Sequence, residues 1–321
     1  MATAALIPVP QPHTALAPFL VRVTNYIRQS RAPSTLRGYR ADWRDFSAFC
    51  EGQGLLALPA SPETVCSYLA HCADSGQLKM GSIQRRVSAI AAAHMAANLD
   101  TPTCTTAVRL CLAGIRRALG TRQEGKAPAL TSDVAAMLSH VPAGLLGLRD
   151  RALLLVGFAG ALRRSELAAL NVEDLSFGDD GVKILIRHSK TDQEGAGQVV
   201  GITRGSKLCP VQAIQAWFAA AGITTGPVFR SVNRHRQVSS TGITPQVVAM
   251  VVKRCAAATG LDVRQYSGHS LRSGLVTSAV LSHVDLPSIQ RQTRHKSLDM
   301  LMKYARIANV FEGNVSGRVG L

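Results

Sequence analysis

The sequence predicts a mainly α-helical protein of two domains, of which the second contains a small antiparallel β-sheet. Apolar residues recur at helical spacing through residues 15–120, and a polar segment with Gly and Pro interrupts this pattern at 121–129. Alternating β-branched residues appear only after that segment. A chain of 321 residues is long enough for two domains that each bury a core of their own.

The first domain, residues 15–120, is expected to be a group of helices preceded by a flexible, Pro-rich arm at residues 1–14. Helices are predicted at 16–29, at 34–51, from 62 onward, at 82–98 and at 105–119. Ser61 is a favourable N-cap for the third helix, and Pro62 suits its first position because the fixed φ of proline matches a helix.

The fourth predicted helix has one apolar face and one basic face. Ile83 and Ile90 belong to a stripe at the spacing of a packed helix. His94 continues that stripe, so we expect it to be a core residue without a chemical role. Arg85 and Arg86 lie on the opposite face.

Residues 121–129 are expected to be an interdomain linker, and residues 130–321 a second domain. Thr131-Ser132-Asp133 is predicted to cap one helix, and 148–159 to form another that is buried on most sides. Strands are predicted at 182–187 and 198–203, after a turn at Asp179-Asp180-Gly181. Further helices are expected to begin at Pro210, Pro245, Ser270, Pro287 and Ser297.

The charge of the chain predicts a polyanionic partner. The net charge is +16 and the isoelectric point about 10.2. Residues 1–125 carry 13 Lys and Arg against 7 Asp and Glu, and residues 126–321 carry 23 against 13, so both domains are basic. We therefore expect a two-domain clamp on double-stranded DNA, in preference to an anionic membrane.

Cysteine usage and hydropathy predict a cytoplasmic, nucleoid-associated protein. The seven cysteines form no Cys-x-x-Cys pair, so we expect buried thiols in a reducing compartment and no disulfides or zinc ligands. Four prolines interrupt the apolar N-terminus, which is unlike a signal peptide. The longest purely apolar run, 152–162, has eleven residues and is too short to cross a bilayer.

Two motifs with an arginine indicate a site for a phosphate group. Arg163 and Glu166 are three residues apart on a predicted helix, where the carboxylate can hold the guanidinium in place. His269 and Arg272 repeat this spacing on another predicted helix. A guanidinium donates to two phosphate oxygens at once, and an imidazole exchanges a proton near neutral pH.

A third motif adds a nucleophile. His295 and Tyr304 are nine residues apart, which suits a turn followed by a short helix that presents the phenol. A phenol has a pKa of about 10 and must lose its proton to attack. We expect nearby positive charge to lower the cost of forming the phenolate. The basic residues near it in the sequence are Arg294, Lys296, Lys303 and Arg306.

Taken in order, the three motifs resemble the active site of the tyrosine recombinase, or phage integrase, family. Residues 160–167 are similar to the family's first Arg motif, and residues 268–274 to its His-x-x-Arg motif. Arg294-His295 through Tyr304 is similar to its closing His and nucleophile box, although the residue before this His is usually Gly in the family. The resemblance covers about 130–310 and implies a helical DNA-binding domain before it.

The resemblance implies a role for each residue of the site. Tyr304 is the expected nucleophile, which forms a 3′-phosphotyrosyl link. Arg163 and Arg272 are expected to clamp the scissile phosphate, and His295 to add a hydrogen bond to it. His269 is expected to assist proton transfer at Tyr304.

Three further expectations concern supporting residues. Glu166 is expected to support the first arginine of the site. The family carries its catalytic Lys in the predicted hairpin, which selects Lys190 to protonate the leaving 5′-hydroxyl, with Lys183 and Lys207 also near. The candidates for additional DNA contacts are Arg85, Arg86 and Arg164.

No ATP-binding Gly-x-x-x-x-Gly-Lys-[Ser/Thr] loop and no cluster of metal-binding carboxylates occurs in the sequence, so we expect neither cofactor nor metal. The favoured function is a site-specific DNA recombinase or integrase that acts as a homotetramer on two DNA sites. A type IB-like topoisomerase or a telomere resolvase would use the same chemistry. A non-catalytic DNA-binding regulator, in which Tyr304 is structural, is the alternative from a different class.

Overall fold

The computed structural model describes residues 17–120, 125–189, 192 and 197–308. The predicted arm at 1–14, Lys190 and the chain after 308 therefore lie outside the described residues. The chain divides into two compact units, Met1–Glu124 and Gly125–Leu321. Each unit has its own apolar core.

The described part of the first unit is helical, as predicted. Its helices are α1 (Ala17–Gln29), α2 (Pro33–Gly52), α3 (Pro62–Asp74), α4 (Met80–Ala96) and α5 (Thr106–Leu119), with a 3₁₀ turn at Pro102–Cys104. Helix α2 packs against α4, and α3 packs against α5. The predicted start of α3 is confirmed, because the Ser61 hydroxyl accepts a hydrogen bond from the Thr64 N–H at 3.2 Å.

Two aromatic rings and one histidine are fully buried in the first unit. Phe46 and Tyr68 are fully buried and meet edge to face, with ring centroids 5.0 Å apart. His94 is also fully buried: its Nε2 accepts from the Ala60 N–H at 3.0 Å, and its Nδ1 donates to the Ile90 carbonyl at 2.9 Å. Both ring nitrogens are satisfied by one tautomer, which confirms His94 as a core residue.

The second unit combines eight helices with two small sheets in its described part. The helices are α6 (Thr131–Ser139), α7 (Leu145–Ala159), α8 (Arg164–Ala169), α9 (Pro210–Ala221), α10 (Pro245–Ala258), α11 (Ser270–Leu281), α12 (Leu286–Thr293) and α13 (Leu298–Ala308). The strands are β1 (Leu175–Phe177), β2 (Gly181–Ile186), β3 (Gln198–Thr203), β4 (Arg230–Val232) and β5 (Val238–Gly242). The predicted mainly helical fold with a small antiparallel sheet is confirmed.

The larger sheet has the order β1-β2-β3, and both pairings are antiparallel. Along β2, Val182, Ile184 and Ile186 are buried while the residues between them are exposed, which is the alternation that predicted the strand. The hairpin β4–β5 was not predicted. Its strands are short and mostly polar, so no alternation distinguishes them from a loop.

The first residues of the second unit pack against α11 and the loop that precedes it. Ala127 donates its N–H to the Gln265 carbonyl at 2.8 Å, and Ala129 donates to the Ser270 carbonyl at 2.9 Å. Helix α11 approaches so closely that a Cβ on Gly274 would lie 1.8 Å from the Ala129 carbonyl oxygen. Glycine at this position therefore fixes how α11, which carries Arg272, lies against the start of the unit.

Helix α7 forms the centre of the second core and packs against α9. It carries most of the apolar run found in the sequence, but no helix of the described ranges is both long and apolar enough to cross a membrane. The side chain of Asp150 on α7 is fully buried. It accepts hydrogen bonds from Arg149, at 2.7 Å, and from Arg254, so its charge is compensated by two guanidinium groups.

Candidate active site

Arg163 and Glu166 form the first part of the site at the beginning of α8. The sequence had suggested that the pair lies on one face of a helix. Instead, Arg163 is the N-cap residue, so the pair lies at the N-terminus of the helix. Its Nη1 donates to Glu166 Oε1 at 2.7 Å, and its backbone N–H donates to Oε2 at 2.9 Å. The Glu166 side chain is only 1% exposed and holds both the backbone and the guanidinium of Arg163.

Arg272 is held from behind by two carbonyl groups. It is 1% exposed and lies in the first turn of α11. Its Nη1 donates to the Ala161 carbonyl at 2.6 Å, and its Nη2 donates to the Thr293 carbonyl. Burial, together with the positive charges of Arg163 and Arg294, lowers the pKa of Arg272 to about 10. The guanidinium is therefore still charged at neutral pH, and its remaining N–H groups can bind an anion.

His295 is buried beside Arg272 in a defined tautomer. The Thr293 hydroxyl donates to the Ile289 carbonyl at 2.7 Å, so His295 Nδ1, which lies 2.6 Å from that hydroxyl, must carry the proton between them. The other nitrogen, Nε2, faces Arg272 Nη2 at 3.5 Å. Burial, followed by the charges of Arg272 and Arg163, lowers the pKa of His295 to about 4. The imidazole is therefore neutral at pH 7.

Tyr304 lies on α13, next to His269. Its ring packs against a small apolar cluster formed by Val276, Ile289 and Leu301. The phenolic oxygen is 3.4 Å from Nε2 of His269, which is the exposed N-cap residue of α11. The phenol is thus held by packing on one side and faces an imidazole that can take its proton.

Positive charge eases ionisation of the Tyr304 phenol, as expected, but burial opposes it more strongly, and the charge that acts is that of Arg272. Burial raises the pKa of Tyr304 above its ordinary value, and the charge of Arg272 offsets only part of that effect. Arg294 is directed toward Glu166, and the side chains of Lys303 and Arg306 lie outside the described residues. Tyr304 is therefore a neutral phenol at rest, and it needs a proton acceptor when it attacks.

Two residues of the site make contacts that were not predicted from the sequence. Thr293 orients His295 through its hydroxyl and Arg272 through its carbonyl. Arg294 donates from Nη2 to Glu166 Oε2 at 2.8 Å, 128 positions earlier in the chain. The sequence had marked Arg294 only as a basic neighbour of Tyr304 and as a departure from the family's usual Gly, and no signal marked Thr293.

The structure does not test the roles expected for the lysine and for the DNA-contact candidates. Lys190 lies outside the described residues, and Lys183 is exposed on β2. In the first unit, Arg85 donates to both Asp42 oxygens at 2.7 and 2.9 Å, and Arg86 contacts Asp45 and the Tyr68 hydroxyl with its side chain 14% exposed. Arg164 is exposed beside the site. Their roles in DNA binding stay predictions.

Positive charge is concentrated in the site. Arg163, Arg272 and Arg294 bring three guanidinium groups close to the single carboxylate of Glu166. Among the residues that the structure describes, no group of three His, Cys, Asp or Glu side chains is placed to hold a metal ion. An anion with several oxygens is the ligand that this arrangement can hold.

Comparison with known families matches both units of the chain. Residues 129–309 match the phage integrase family, and residues 23–98 match the N-terminal SAM-like domain of phage integrases. An integrase/recombinase xerD homolog from Selenomonas ruminantium is 40% identical over 299 residues, which covers 91% of this chain and 87% of the relative. The recombinase cre of Escherichia phage P1 is 24% identical over 298 residues, which covers 87% of this chain and 85% of that relative.

Solved structures of recombinases share the fold. The XerH site-specific recombinase bound to its difH substrate has a TM-score of 0.66 at 13% identity, covering 93% of this chain and 83% of that one. The Tn1549 transposon integrase bound to transposon right end DNA has a TM-score of 0.63 at 15% identity, and the match covers 91% of this chain and 94% of that one. At such identities the likeness shows the fold alone. The family matches and the 40% identical relative establish more: the chain belongs to the phage integrase family of tyrosine recombinases, which are DNA strand-transferase enzymes.

Proposed function

We propose that this chain is a site-specific DNA recombinase or integrase that cleaves and rejoins strands through a 3′-phosphotyrosyl intermediate, without ATP or a metal ion. One observation carries the proposal. The phenol of Tyr304 lies 3.4 Å from an imidazole, and the same site contains the buried guanidinium of Arg272. These are the groups that an attack on a phosphodiester needs: a nucleophile, a proton acceptor and a cationic clamp.

Arg163 and Arg272 would bind the non-bridging oxygens of the scissile phosphate. Each guanidinium is held in place by protein acceptors, Glu166 for Arg163 and two backbone carbonyls for Arg272. Such fixed donors need little reorganisation when negative charge gathers on the oxygens in the transition state. The burial of Arg272 strengthens its interaction with an anion because little water screens it.

His295 would change its protonation state when the phosphate binds. In the free site its Nε2 is unprotonated and cannot donate a hydrogen bond. A phosphate oxygen close to the ring would favour the imidazolium and raise its pKa. The ring would then donate from Nε2 to the phosphate, which is the role that the family resemblance implies.

In the cleavage step, the Tyr304 oxygen forms a bond to phosphorus while the bond from phosphorus to the 5′-oxygen breaks. The phenolic proton passes to His269, which lies within reach at 3.4 Å. The leaving 5′-oxygen takes a proton, which we assign to Lys190. In rejoining, a 5′-hydroxyl from another strand attacks the phosphotyrosine and releases Tyr304. The covalent link stores the energy of the broken bond, so ATP is not required.

The partner of this chemistry is double-stranded DNA, bound by both basic domains. The net charge of +16 supports this choice, as do the solved relatives whose structures contain DNA. Exchange between two duplexes requires four strand cleavages, so we propose a homotetramer on two DNA sites. The cytoplasmic, nucleoid-associated location expected from the sequence stays a prediction.

The relatives favour recombination over the two alternatives with the same chemistry. A type IB-like topoisomerase rejoins the strand that it cut, and a telomere resolvase joins strands within one site. The matched relatives are recombinases and integrases. Two differently labelled duplexes would separate these outcomes, because only a recombinase produces strands that carry both labels.

Covalent trapping tests the proposal directly. Wild-type protein is incubated with a pool of duplexes that carry a nick near a randomised sequence, so that a short cleaved fragment diffuses away and rejoining fails. We expect a denaturation-resistant protein–DNA adduct whose modified peptide contains Tyr304. Tyr304→Phe should form no adduct but still bind the duplexes, whereas Tyr266→Phe, at a buried tyrosine of the same unit, should form it normally. An adduct with Tyr304→Phe would rule out this nucleophile.

A further inference from the structure

Arg294 occupies a backbone position that is unfavourable for any residue with a Cβ. It ends α12 with φ 58° and ψ 42°, which is the left-handed conformation that glycine adopts most easily at the end of a helix. The family usually has Gly at this position. A glycine here would form the same turn without steric strain, so the backbone does not explain the arginine.

The side chain is buried with part of its hydrogen-bonding capacity unused. It is 5% exposed, and its Nη2 donates to Glu166 Oε2 at 2.8 Å. Its Nε and Nη1 are buried and have no hydrogen-bond partner among the residues that the structure describes. Buried donors without partners destabilise a fold. Stability is therefore also a poor explanation for the arginine.

The contact with Glu166 connects Arg294 to the phosphate clamp. Within the described residues, the guanidinium of Arg163 has one hydrogen bond to protein, from Nη1 to Glu166 Oε1. The other oxygen, Oε2, accepts from Arg294 and from the Arg163 backbone N–H. With Arg294 present, both ends of the carboxylate are fixed by charged groups. Without it, only the Arg163 backbone N–H would hold Oε2, so the carboxylate and the guanidinium bound to it would be held less firmly.

We propose that Arg294 is a positioning residue for strand cleavage, which holds Glu166 so that Glu166 in turn holds Arg163 against the scissile phosphate. This inference rests on the function proposed above and extends it, because it gives a role to a residue to which the family resemblance assigns none. It also explains how the site tolerates a third arginine. Glu166 neutralises part of the added charge, and the bound phosphate would compensate the rest.

The test is single-turnover cleavage by the full chain on a nicked duplex selected by covalent trapping. Arg294→Gly should retain the affinity for DNA but cleave about 10- to 10²-fold more slowly, the range expected when a catalytic group is displaced by a fraction of an ångström to 1 Å. Arg294→Lys keeps the charge but not the planar fork, so we expect an intermediate rate. The double variant Glu166→Gln with Arg294→Gly should cleave no more slowly than Glu166→Gln alone. Both substitutions break the same connection, from Arg294 through Glu166 to Arg163.

A second substrate separates positioning from a general structural role. In a methylphosphonate duplex, a methyl group replaces one non-bridging oxygen of the scissile phosphate, so less negative charge needs the clamp. If Arg294 acts through Arg163 on that charge, most of the difference between wild type and Arg294→Gly should disappear on this substrate. Arg254→Ala is the matched control, since it also removes one of two arginines from a buried carboxylate, and it should cleave both substrates like wild type.

The inference is overturned if Arg294→Gly cleaves the normal duplex at the wild-type rate, or if it slows both substrates equally. Thermal unfolding shows whether each variant is folded. If Arg294→Gly is not folded, the cleavage rates of Arg294→Lys on the two substrates are compared with those of wild type instead, and the same two results would overturn the inference. Failure of the proposed function looks different, because the wild-type protein itself would then form no adduct at Tyr304.

Discussion

The buried state of His295 predicts a specific loss of stability in mild acid. The pKa of this imidazole is about 4 in the native site, against an ordinary value of 6.5. Between these two values the unfolded chain binds a proton at His295 that the native protein does not bind. Lowering the pH through this window therefore favours the unfolded state, and the contribution of His295 is fully present only above about pH 6.5.

The size of the effect follows from the width of the window. Each pH unit in which one extra proton binds to the unfolded chain lowers the free energy of unfolding by about 1.36 kcal/mol. From pH 6.5 to about 4 the loss therefore amounts to about 3 kcal/mol. A domain with the usual marginal stability of about 5–15 kcal/mol would show this clearly.

Urea unfolding at a series of pH values measures this loss. Trp217 is fully buried in the core of the second unit, so its fluorescence in a Trp43→Phe background reports on the unit that contains His295. Glutamine in place of His295 is neutral throughout, and the difference between wild type and His295→Gln removes the contribution of all other titrating groups.

We expect the stability difference between wild type and His295→Gln to change by about 3 kcal/mol between pH 7 and pH 4. If the wild-type and His295→Gln curves ran parallel over this range, the site would not hold His295 neutral. The proposed change of protonation on phosphate binding would then lose its basis.

Three other predictions concern the reaction and DNA binding. Arg163→Ala and Arg272→Ala should each slow single-turnover cleavage by at least about 10²-fold through loss of a transition-state donor; near-normal rates in both variants would place the phosphate site elsewhere. The logarithm of the DNA affinity should fall with the logarithm of the salt concentration at a slope near −0.9 per phosphate contact, and removal of residues 1–125 should make the slope shallower because that part carries a net +6. An unchanged slope in filter-binding or anisotropy titrations would contradict a clamp formed by both domains. Residues 311–321 end in apolar side chains that we expect to pack on a neighbouring subunit, so their deletion should impair synapsis and the cleavage that depends on it; recombination of two sites at the wild-type rate would exclude that role.

Local sequence patterns determined the elements of this protein and the chemical types in its site. Helix starts such as Ser61-Pro62 were predictable because a cap involves residues only three apart. Strand β2 was predictable because its alternation reflects burial of one face. The hairpin β4–β5 had no such pattern and was missed. The motifs of arginine, histidine and tyrosine were recognisable because each is local in the sequence.

The tertiary structure alone decided how these groups behave together. Arg272 is oriented by the Ala161 carbonyl, 111 positions away, and Glu166 is shared with Arg294, 128 positions away. No local pattern encodes which backbone carbonyl or which charge will be nearest. The ionisation states depend on the same facts. Burial raises the pKa of Tyr304, although the charge of Arg272 lowers it, and burial lowers the pKa of His295. A pKa responds to desolvation and to charges within a few ångströms, and both are set only when distant segments pack around the group.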